Sequence, residues 1–424
     1  MHEDRVFARS ARRLIPFMVV LYMFAWLDRV NVSFAALTMN RDLGFSPTEF
    51  GFGAGVFYLG YLLFQVPANL LLARIGARRW IAYIVLAWGA LSAAGALVQS
   101  PTTFYVLRFL LGVAEAGFVP GMIFYLTLWF PQSYRARFTA GFMAAIPLSY
   151  ILGAPISTLI LELDGVAGLH GWQWLFLLEG LPASALALAV PQLMPNGPAE
   201  AKWLDEREKA MISARLATEN AAKRSEVWPA LLDPRVLVLC LVSFAIGFGS
   251  VGVTLWLPQI LQSMGYSNLS IGPLLAVLGL IAMAAMFAWG RSSDKKDERV
   301  WHVSLPLLVA AAGLIVASLP LPAAVSLIAL SCILIGLLAL DGPFFALPSA
   351  FLGGAAVAGG IALINSVGSL GGFLGPILIG ALREQSGGYA TGMIALAIAL
   401  IFAATAVLAL GRTMTARPVL QGDR

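Results

Sequence analysis

Charged residues, cysteine and histidine are all scarce in this chain. Only 12% of the 424 residues are charged, whereas 59% are hydrophobic, a balance that soluble globular domains do not have. The two cysteines, Cys240 and Cys332, both lie in apolar runs, so a disulfide framework is excluded. The three histidines lie outside these runs or at their ends, so we expect no histidine metal site or general base within them.

The alternation of polar and apolar residues that a membrane β-barrel needs is also missing. Apolar windows of about 20 residues recur instead, long enough to cross a bilayer. Backbone groups in hydrocarbon must be satisfied within their own segment, so each window is predicted to be a helix. The sequence thus predicts an all-α integral membrane protein with twelve transmembrane helices, at 14–36, 50–73, 80–99, 102–126, 137–161, 172–193, 235–259, 270–290, 302–319, 322–346, 352–380 and 389–411.

The net charge of +5 reflects membrane topology and does not require a nucleic-acid partner. When the spans alternate in direction, 23 of the 27 Lys and Arg residues fall on the side of the amino terminus. Because positive loops are cytoplasmic, we predict that both termini lie in the cytoplasm. Asp28 and Arg29 interrupt the first apolar run, which favours an uncleaved first helix over a signal peptide.

Two six-helix bundles are predicted, at 1–194 and 235–424. A glycine-containing basic turn follows both the second and the eighth span, a weak internal repeat typical of transporters built from two related halves. The polar segment 195–234 separates these halves. Alternating charges and sparse apolar residues in that segment predict a helix on the cytoplasmic surface.

Charged residues lie deep inside two of the apolar runs. Arg108 and Glu115 are two helical turns apart in the fourth span and therefore share a face, so we expect them to be partners. Asp28 and Arg29 in the first span point about 100° apart and should face different neighbours. Such charges usually mark a substrate or proton path, although they can also hold helices together. Glu179 in the sixth span is interpreted as structural.

The second span carries a polar stripe. Tyr58, Tyr61, Gln65 and Asn69 fall within about 80° of arc on an otherwise apolar helix. Hydrogen bonds between helices would explain any single member of the stripe. The stripe as a whole favours a water-filled cavity.

The last third of the chain adds further polar and flexible positions. Pro343 and Pro348 bracket two phenylalanines, which predicts a kinked or broken tenth span. Asp341, just before them, is either a helix cap or another functional carboxylate, and we favour the cap. Asn365 and Ser369 lie one turn apart in the glycine-rich eleventh span, where glycine implies close helix packing.

Together these features resemble the major facilitator superfamily. The turn with Arg74, Gly76, Arg78 and Arg79 is similar to that superfamily's loop motif, except that Ala73 replaces the usual acidic residue. More specifically, the chain resembles the anion:cation symporter family, and within it bacterial tartrate transporters. The segments that carry this likeness are LDRVNVSFAAL (27–37), RFLLGVAEAGFVPG (108–121), GWQWLFLLEGLP (171–182), GPFFALPSAFL (342–352) and GGIALINSVGSLGGFLGP (359–376).

The resemblance implies roles for particular residues. It implies that Asp28 and Glu115 are proton-coupling carboxylates. It also implies a substrate site on the cavity faces of several helices, built from Arg29, Arg108, Tyr58, Tyr61, Gln65, Phe345, Asn365 and Ser369. The arginines would hold or gate the substrate anion, and Asn365 would contact it. The family often has tryptophan where Phe345 stands, so the identity of the substrate does not carry over through that position.

We therefore expect a proton-coupled symporter that imports a small organic anion, such as tartrate or a related hydroxy or sugar acid, by alternating access. The expected partners are the anion, protons and the lipid bilayer; no cofactor beyond the co-transported proton is expected, and the protein should act as a monomer in the inner membrane. The alternative is a drug or metabolite antiporter of the same fold, although two buried arginines disfavour cationic drugs. An enzyme is not expected, because no span pairs a nucleophile with a base.

Overall fold

The computed structural model describes residues 2–220, 232–352 and 355–415. Its regular structure in these ranges is helical. Twelve helical stretches of the described chain are long and apolar enough to cross a membrane, which confirms the twelve predicted spans. The helices of the first half are α1 His2–Leu43, α2 Pro47–Ile75, α3 Ala77–Ala94, α4 Pro101–Glu115, α5 Phe118–Trp129, α6 Gln132–Met143, α7 Ala145–Leu161 and α8 Gly171–Leu193.

The remaining helices are one within the polar segment and seven after it. They are α9 Glu206–Asn220, α10 Pro234–Ser263, α11 Asn268–Lys296, α12 Val300–Ala317, α13 Ala323–Ala339, α14 Asp341–Ala346, α15 Ala355–Ser386 and α16 Ala390–Thr415. The helices form two compact units, one within Met1–Lys223 and Leu255–Ala276, the other within Arg224–Thr254 and Val277–Arg424. The predicted domain boundaries and the cytoplasmic placement of the termini stay predictions.

The fourth span differs from its prediction as a single helix. It consists of α4 and α5, separated at Ala116 and Gly117 directly after Glu115. Pro120 explains the break, because it has no N–H to donate to the carbonyl of Ala116 and its ring clashes with that carbonyl. At the break, the Ala116 N–H donates to Val113 O, three residues earlier, in a turn tighter than that of an α-helix. The helix on which Arg108 and Glu115 were predicted to lie together therefore ends at Glu115.

Glycines bring α2 and α4 into backbone contact. A Cβ atom on Gly112 would lie 2.0 Å from Phe57 O, and one on Gly60 would lie 2.3 Å from Phe109 O. Only glycine permits so close an approach of two helices. Gly121 is not part of this contact, because its Cβ would meet its nearest neighbour at an ordinary 3.7 Å.

The second unit confirms two local predictions. The tenth span is interrupted: α13 is followed by the short helix α14 and a 3₁₀ turn at Leu347–Ala350, where Pro343 and Pro348 lie. Asp341 is the first residue of α14, but the N-cap position is occupied by Leu340 and carries no side-chain cap hydrogen bond, so the predicted Asp341 cap is not formed. In the eleventh span, a Cβ on Gly371 would lie 2.0 Å from Phe244 O, so the glycine-rich face of α15 packs closely on α10.

The predicted surface helix is α9, which belongs to the first unit and packs its apolar side against the other helices of that unit. Ile212 is fully buried there. Trp203, just before α9, stacks on Trp129 with ring centroids 5.6 Å apart. Glu208 forms an ion pair with Arg9 of α1. These contacts attach the segment after α8 to the ends of α1 and α5.

The turn between α8 and α9 contains one perturbed carboxyl group. Glu200 accepts hydrogen bonds from the Asn196 amide at 2.9 Å and from Arg78 at 3.4 Å. These contacts, Asn196 first, hold the pKa of Glu200 below its ordinary value. Arg78 of the basic turn thereby contacts the segment that follows α8.

Candidate functional site

The first unit buries two arginines and two carboxylates from α1 and α4. Asp28 and Glu115 have no solvent exposure, and Arg108 is almost as deeply buried. The Arg29 side chain is 10% exposed. Four charged groups in the interior of one bundle are costly to bury, so their arrangement is the strongest functional signal in the chain.

Glu115 pairs with Arg29, and the predicted partnership between Glu115 and Arg108 is wrong. Arg29 Nε donates to Glu115 Oε2 over 2.7 Å. Sequence spacing correctly places Arg108 and Glu115 on the same helix. It could not show that α1 lies opposite Glu115 and supplies a guanidinium from another helix.

Asp28 faces a different set of groups, as the helical angle between Asp28 and Arg29 predicts. Its Oδ1 accepts hydrogen bonds from Ser92 Oγ of α3 at 2.6 Å and from the Asn31 amide at 3.4 Å. Asn31 Nδ2 also lies 3.3 Å from Ser92 Oγ. Asp28 therefore sits in a small network of neutral donors, and its other oxygen, Oδ2, has no partner among the described residues.

Arg108 has one side of its guanidinium unused. Nη1 donates to the backbone carbonyl of Asp28 at 3.3 Å. Within the described chain, Nε and Nη2 are buried and have no hydrogen-bond partner. These two atoms form one edge of the guanidinium, the edge that can hold a carboxylate through two parallel hydrogen bonds. Buried donors normally find partners, so an unused edge indicates a ligand-binding group.

Aromatic rings from α2 cover the guanidinium groups. The Arg108 Cζ atom lies 5.0 Å from the Phe57 ring centroid, and Arg29 Cζ lies 4.9 Å from that of Tyr61. Tyr58 is partly buried and stacks edge-on against Phe57, with centroids 5.1 Å apart. These cation–π contacts hold the two guanidinium groups in place, and the neutral rings do not cancel their positive charge.

The stripe on α2 has the polarity that the sequence predicts. Tyr61 is buried and Tyr58, Gln65 and Asn69 are partly buried. Leu63, on the opposite face, is 55% exposed in the protein alone, which fits contact with lipid. The stripe therefore faces the protein interior, where Tyr58 and Tyr61 meet the arginines.

The other predicted site residues belong to the second unit. Asn365 is partly buried on α15, and Ser369, one turn later, donates its hydroxyl to the Asn365 carbonyl at 3.2 Å. Phe345 on α14 is 38% exposed and packs edge-on against Phe344. Their predicted roles in substrate binding stay predictions.

Sequence reasoning missed Ser92 and Phe57. Ser92 is a lone hydroxyl in a run of small residues, and Phe57 is one aromatic residue among many, so no periodicity distinguishes either. Both become visible only when α2 and α3 are placed against the charged residues. No group of histidine, cysteine or carboxylate residues in the described part of the chain could hold a metal ion.

A small cavity lies beside the charged residues. Its volume is about 20 Å³, and Arg108 and Ser92 border it together with apolar side chains that include Phe104 and Phe176. That space accommodates one water molecule and is far too small for an organic acid. In this structure the cavity therefore has no room for an organic acid.

The sequence matches the Major Facilitator Superfamily over residues 18–376. With its twelve helical spans, the chain belongs to that superfamily, and it is a multi-pass inner-membrane transport protein and not an enzyme. Over 414 residues it is 48% identical to an Agrobacterium vitis protein provisionally named a tartrate transporter, a match that covers 97% of this chain and 96% of the other. This finding confirms the resemblance inferred from the sequence.

Two further proteins are similar to this chain, one in sequence and one in fold. Over 405 residues the chain is 40% identical to a quinolone resistance transporter of Acinetobacter baumannii, covering 94% of this chain and 93% of that protein. The fold is similar to the crystal structure of a bacterial homologue of the human lysosomal transporter Spinster. The TM-score is 0.79 at 18% identity, with coverage of 96% and 98%, so this likeness concerns the fold alone.

Proposed function

We propose that this protein is a proton-coupled symporter that imports a small organic anion, with tartrate or a related hydroxy acid as the preferred class. The observation that carries the proposal is the unused Nε and Nη2 edge of Arg108, buried beside aromatic rings. A planar carboxylate matches this edge in shape and charge. The relatives named for tartrate transport support a dicarboxylate substrate.

Coupling to protons follows from the balance of charge. With Asp28 and Glu115 ionised, the two carboxylates compensate Arg29 and Arg108. Protonation of both carboxyl groups leaves the two arginines uncompensated, so the site then gains affinity for a dianion. Each proton contributes about 1.4 kcal/mol per pH unit to accumulation. A dianion moving with two protons crosses without net charge.

Uptake by purified protein in liposomes tests the proposal. We expect labelled tartrate or a competing hydroxy-diacid to accumulate when the outside is acidic, and to equilibrate only when the pH is equal on both sides. Aldonates and aromatic acids, offered as competitors, define the substrate class. Failure of a proton gradient to drive any of these anions inward would overturn the proposal.

A drug antiporter is the second candidate, and the quinolone resistance relative is the observation that favours it. Quinolones are themselves aromatic carboxylic acids, so the same arginine edge could bind them. The direction of coupling separates the two functions. In an antiporter, protons that enter the liposomes down their gradient would drive a quinolone out. In a symporter, the same protons would carry the organic anion in.

A further inference from the structure

A water-sized cavity lies between the buried Asp28 carboxyl group and the connection from α3 to α4. Ser92, in the last turn of α3, donates its hydroxyl to Asp28 Oδ1 at 2.6 Å. Ser92 and Arg108 are also the residues with polar side chains that line the cavity, whose volume is about 20 Å³. One water molecule needs about 10–15 Å³ and polar groups to bind, so the cavity can hold a water beside Ser92.

The cavity lies toward the side of the first unit that is opposite the amino terminus. Its lining includes Gly95 and Val98 from the connection between α3 and α4, and Phe104 from the first turn of α4. This connection joins the third span to the fourth, so it falls on the side predicted to be outside the cell. Val98 is only 2% exposed, whereas its neighbour Gln99 is exposed. A thin apolar layer therefore separates the cavity from the predicted outer surface.

Of the two polar lining residues, only Ser92 can pass on a proton. A hydroxyl both donates and accepts hydrogen bonds, whereas a guanidinium has no acceptor and keeps its protons in proteins. Ser92 Oγ donates to Asp28 and lies 3.3 Å from the Asn31 amide nitrogen, which leaves one of its two lone pairs for a water. The positive charge of Arg108 disfavours a hydronium ion at rest in the cavity, so a proton that reaches the water would move on to the carboxylate.

The other titratable groups around Asp28 are engaged elsewhere. Arg29 of α1 and Glu115 of α4 bond to each other, and Glu179 of α8 accepts a hydrogen bond from a serine of α7. The phenols of α2, α5, α6 and α7 contact other groups: Tyr58, Tyr61, Tyr125, Tyr134 and Tyr150. On α3, the titratable residues lie at least nine positions before Ser92, about 13 Å or more along the helix: Arg78, Arg79 and Tyr83. Asp28 therefore meets the cavity through Ser92.

We propose that Ser92 and a water in this cavity carry the transported proton to Asp28 from the side opposite the amino terminus. The proposal rests on the proposed function, in which Asp28 binds that proton. A proton arrives at the water, the water passes a proton to Ser92 Oγ, and Ser92 passes its own proton to Asp28 Oδ1. One O–H bond breaks as each new one forms, so the water and the serine end unchanged and Asp28 gains one proton.

Tartrate uptake into liposomes, driven by an acidic outside, tests both parts of this path. Ser92→Ala removes the hydroxyl and should slow the initial rate about ten-fold or more, whereas Ser92→Thr keeps a hydroxyl and should restore the rate. Val98→Leu leaves the bond between Ser92 and Asp28 intact but adds a methylene to the cavity wall. By displacing the water it should slow uptake about as much as Ser92→Ala.

Two controls accompany these variants. Exchange of labelled for unlabelled tartrate at equal acidic pH should stay near the wild-type rate in all of them, because the carboxyl groups then remain protonated. Ser149→Ala removes another buried hydroxyl, one that donates to the Ala145 carbonyl at 2.7 Å, and it should leave gradient-driven uptake unchanged.

The variants separate a proton path from a hydrogen bond that only stabilises ionised Asp28. Such a bond alone would let Ser92→Ala shift the pH midpoint of uptake while Val98→Leu behaves as the wild type, and that pattern overturns the proposal. Wild-type rates in both folded variants overturn it as well. If instead no proton gradient drives uptake by the wild type, the symport function itself has failed.

A measurement that does not depend on transport decides the proposal if the variants fail to fold or the wild type does not transport tartrate. A high-resolution density map of the wild type should show a water within hydrogen-bond distance of Ser92 Oγ in the cavity. Absence of that water from a map that resolves other buried waters overturns the proposal.

Discussion

The two buried arginines differ in how their hydrogen bonds are used. Arg29 is held by a carboxylate, through Nε to Glu115. Arg108 is held by a backbone carbonyl and retains a free bidentate edge. Arg108 therefore keeps a two-nitrogen edge without partners in the described chain, whereas Arg29 keeps only Nη2.

The first prediction concerns this edge. Arg108→Lys keeps the positive charge but loses the planar fork, since an ammonium group cannot form two parallel bonds to one carboxylate. We expect at least a ten-fold loss of tartrate affinity, about 1.4 kcal/mol, in calorimetry on purified monodisperse protein. Arg41→Lys, on an exposed side chain, is the matched control and should bind normally.

A purely structural role for Arg108 gives the opposite pattern. The variant would then express poorly, but whatever protein survived would bind with normal affinity. Unchanged affinity in well-folded Arg108→Lys therefore contradicts the anchor role. Because Glu115 is bonded to Arg29, the substitution should not leave that carboxylate without a partner.

Sequence analysis identified the four buried charged residues of α1 and α4 but not their pairing. An apolar run interrupted by a charge is visible in one dimension, and helical angles separate Asp28 from Arg29. The partner of Glu115 depends on which helices are neighbours, and that information is absent from the spacing within α4. Ser92 was missed for the same reason, because a single hydroxyl has meaning only opposite Asp28.

At the scale of helices, the contact between α2 and α4 depends on glycine. Gly112→Ala would place a Cβ atom 2.0 Å from Phe57 O, a backbone atom that cannot move aside without shifting α2. We expect a loss of about 1–3 kcal/mol in stability, seen as a lower Tm in detergent. Gly121→Ala has room, with its nearest neighbour at 3.7 Å, and should leave the Tm unchanged or raise it. Equal Tm values for the two variants would contradict this account of the packing.

The polar stripe of α2 gives a labelling prediction. In a background with Cys240 and Cys332 replaced by serine, single cysteines at Tyr58, Gln65 and Asn365 should react with small polar thiol reagents. Substrate should protect them, because these positions are predicted to line the transport cavity. A cysteine at Leu63, on the lipid-facing side, should be inert. Equal labelling on both faces of α2 would show that the stripe does not face water.

The ends of the transmembrane helices were harder to predict from the sequence than their number. The twelve spans follow from hydropathy, since burial in hydrocarbon demands helices of a given length. The end of α4 at Glu115 does not follow, because Pro120 lies five residues farther along and its effect reaches back one turn, to the carbonyl of Ala116. The break in the tenth span was predicted correctly because two prolines mark it directly.

The proposed coupling between proton and substrate movement is a property of the whole molecule, because it depends on a gradient across the membrane. Glu115→Gln mimics the protonated state, so it should abolish accumulation driven by a pH gradient. It should preserve exchange of labelled for unlabelled substrate at equal concentrations. Asp28→Asn should lose accumulation in the same way. Counterflow and gradient-driven uptake in the same liposomes measure both properties, and full accumulation by both variants would exclude these carboxylates as the coupling groups.

The interlocked glycines of α2 and α4 restrict how the site can rearrange. With backbone against backbone at Gly60 and Gly112, the two helices cannot slide or rotate past one another without a clash. We therefore expect α2 and α4 to move as one rigid body, here called the wall, which carries Tyr61, Arg108 and Glu115. Two contacts link that wall to α1: the ion pair between Glu115 and Arg29, and the hydrogen bond from Arg108 Nη1 to the Asp28 carbonyl. If Glu115 carries the transported proton, as proposed, we expect protonation to weaken the ion pair while the carboxylate-binding edge and its aromatic cover keep their shape.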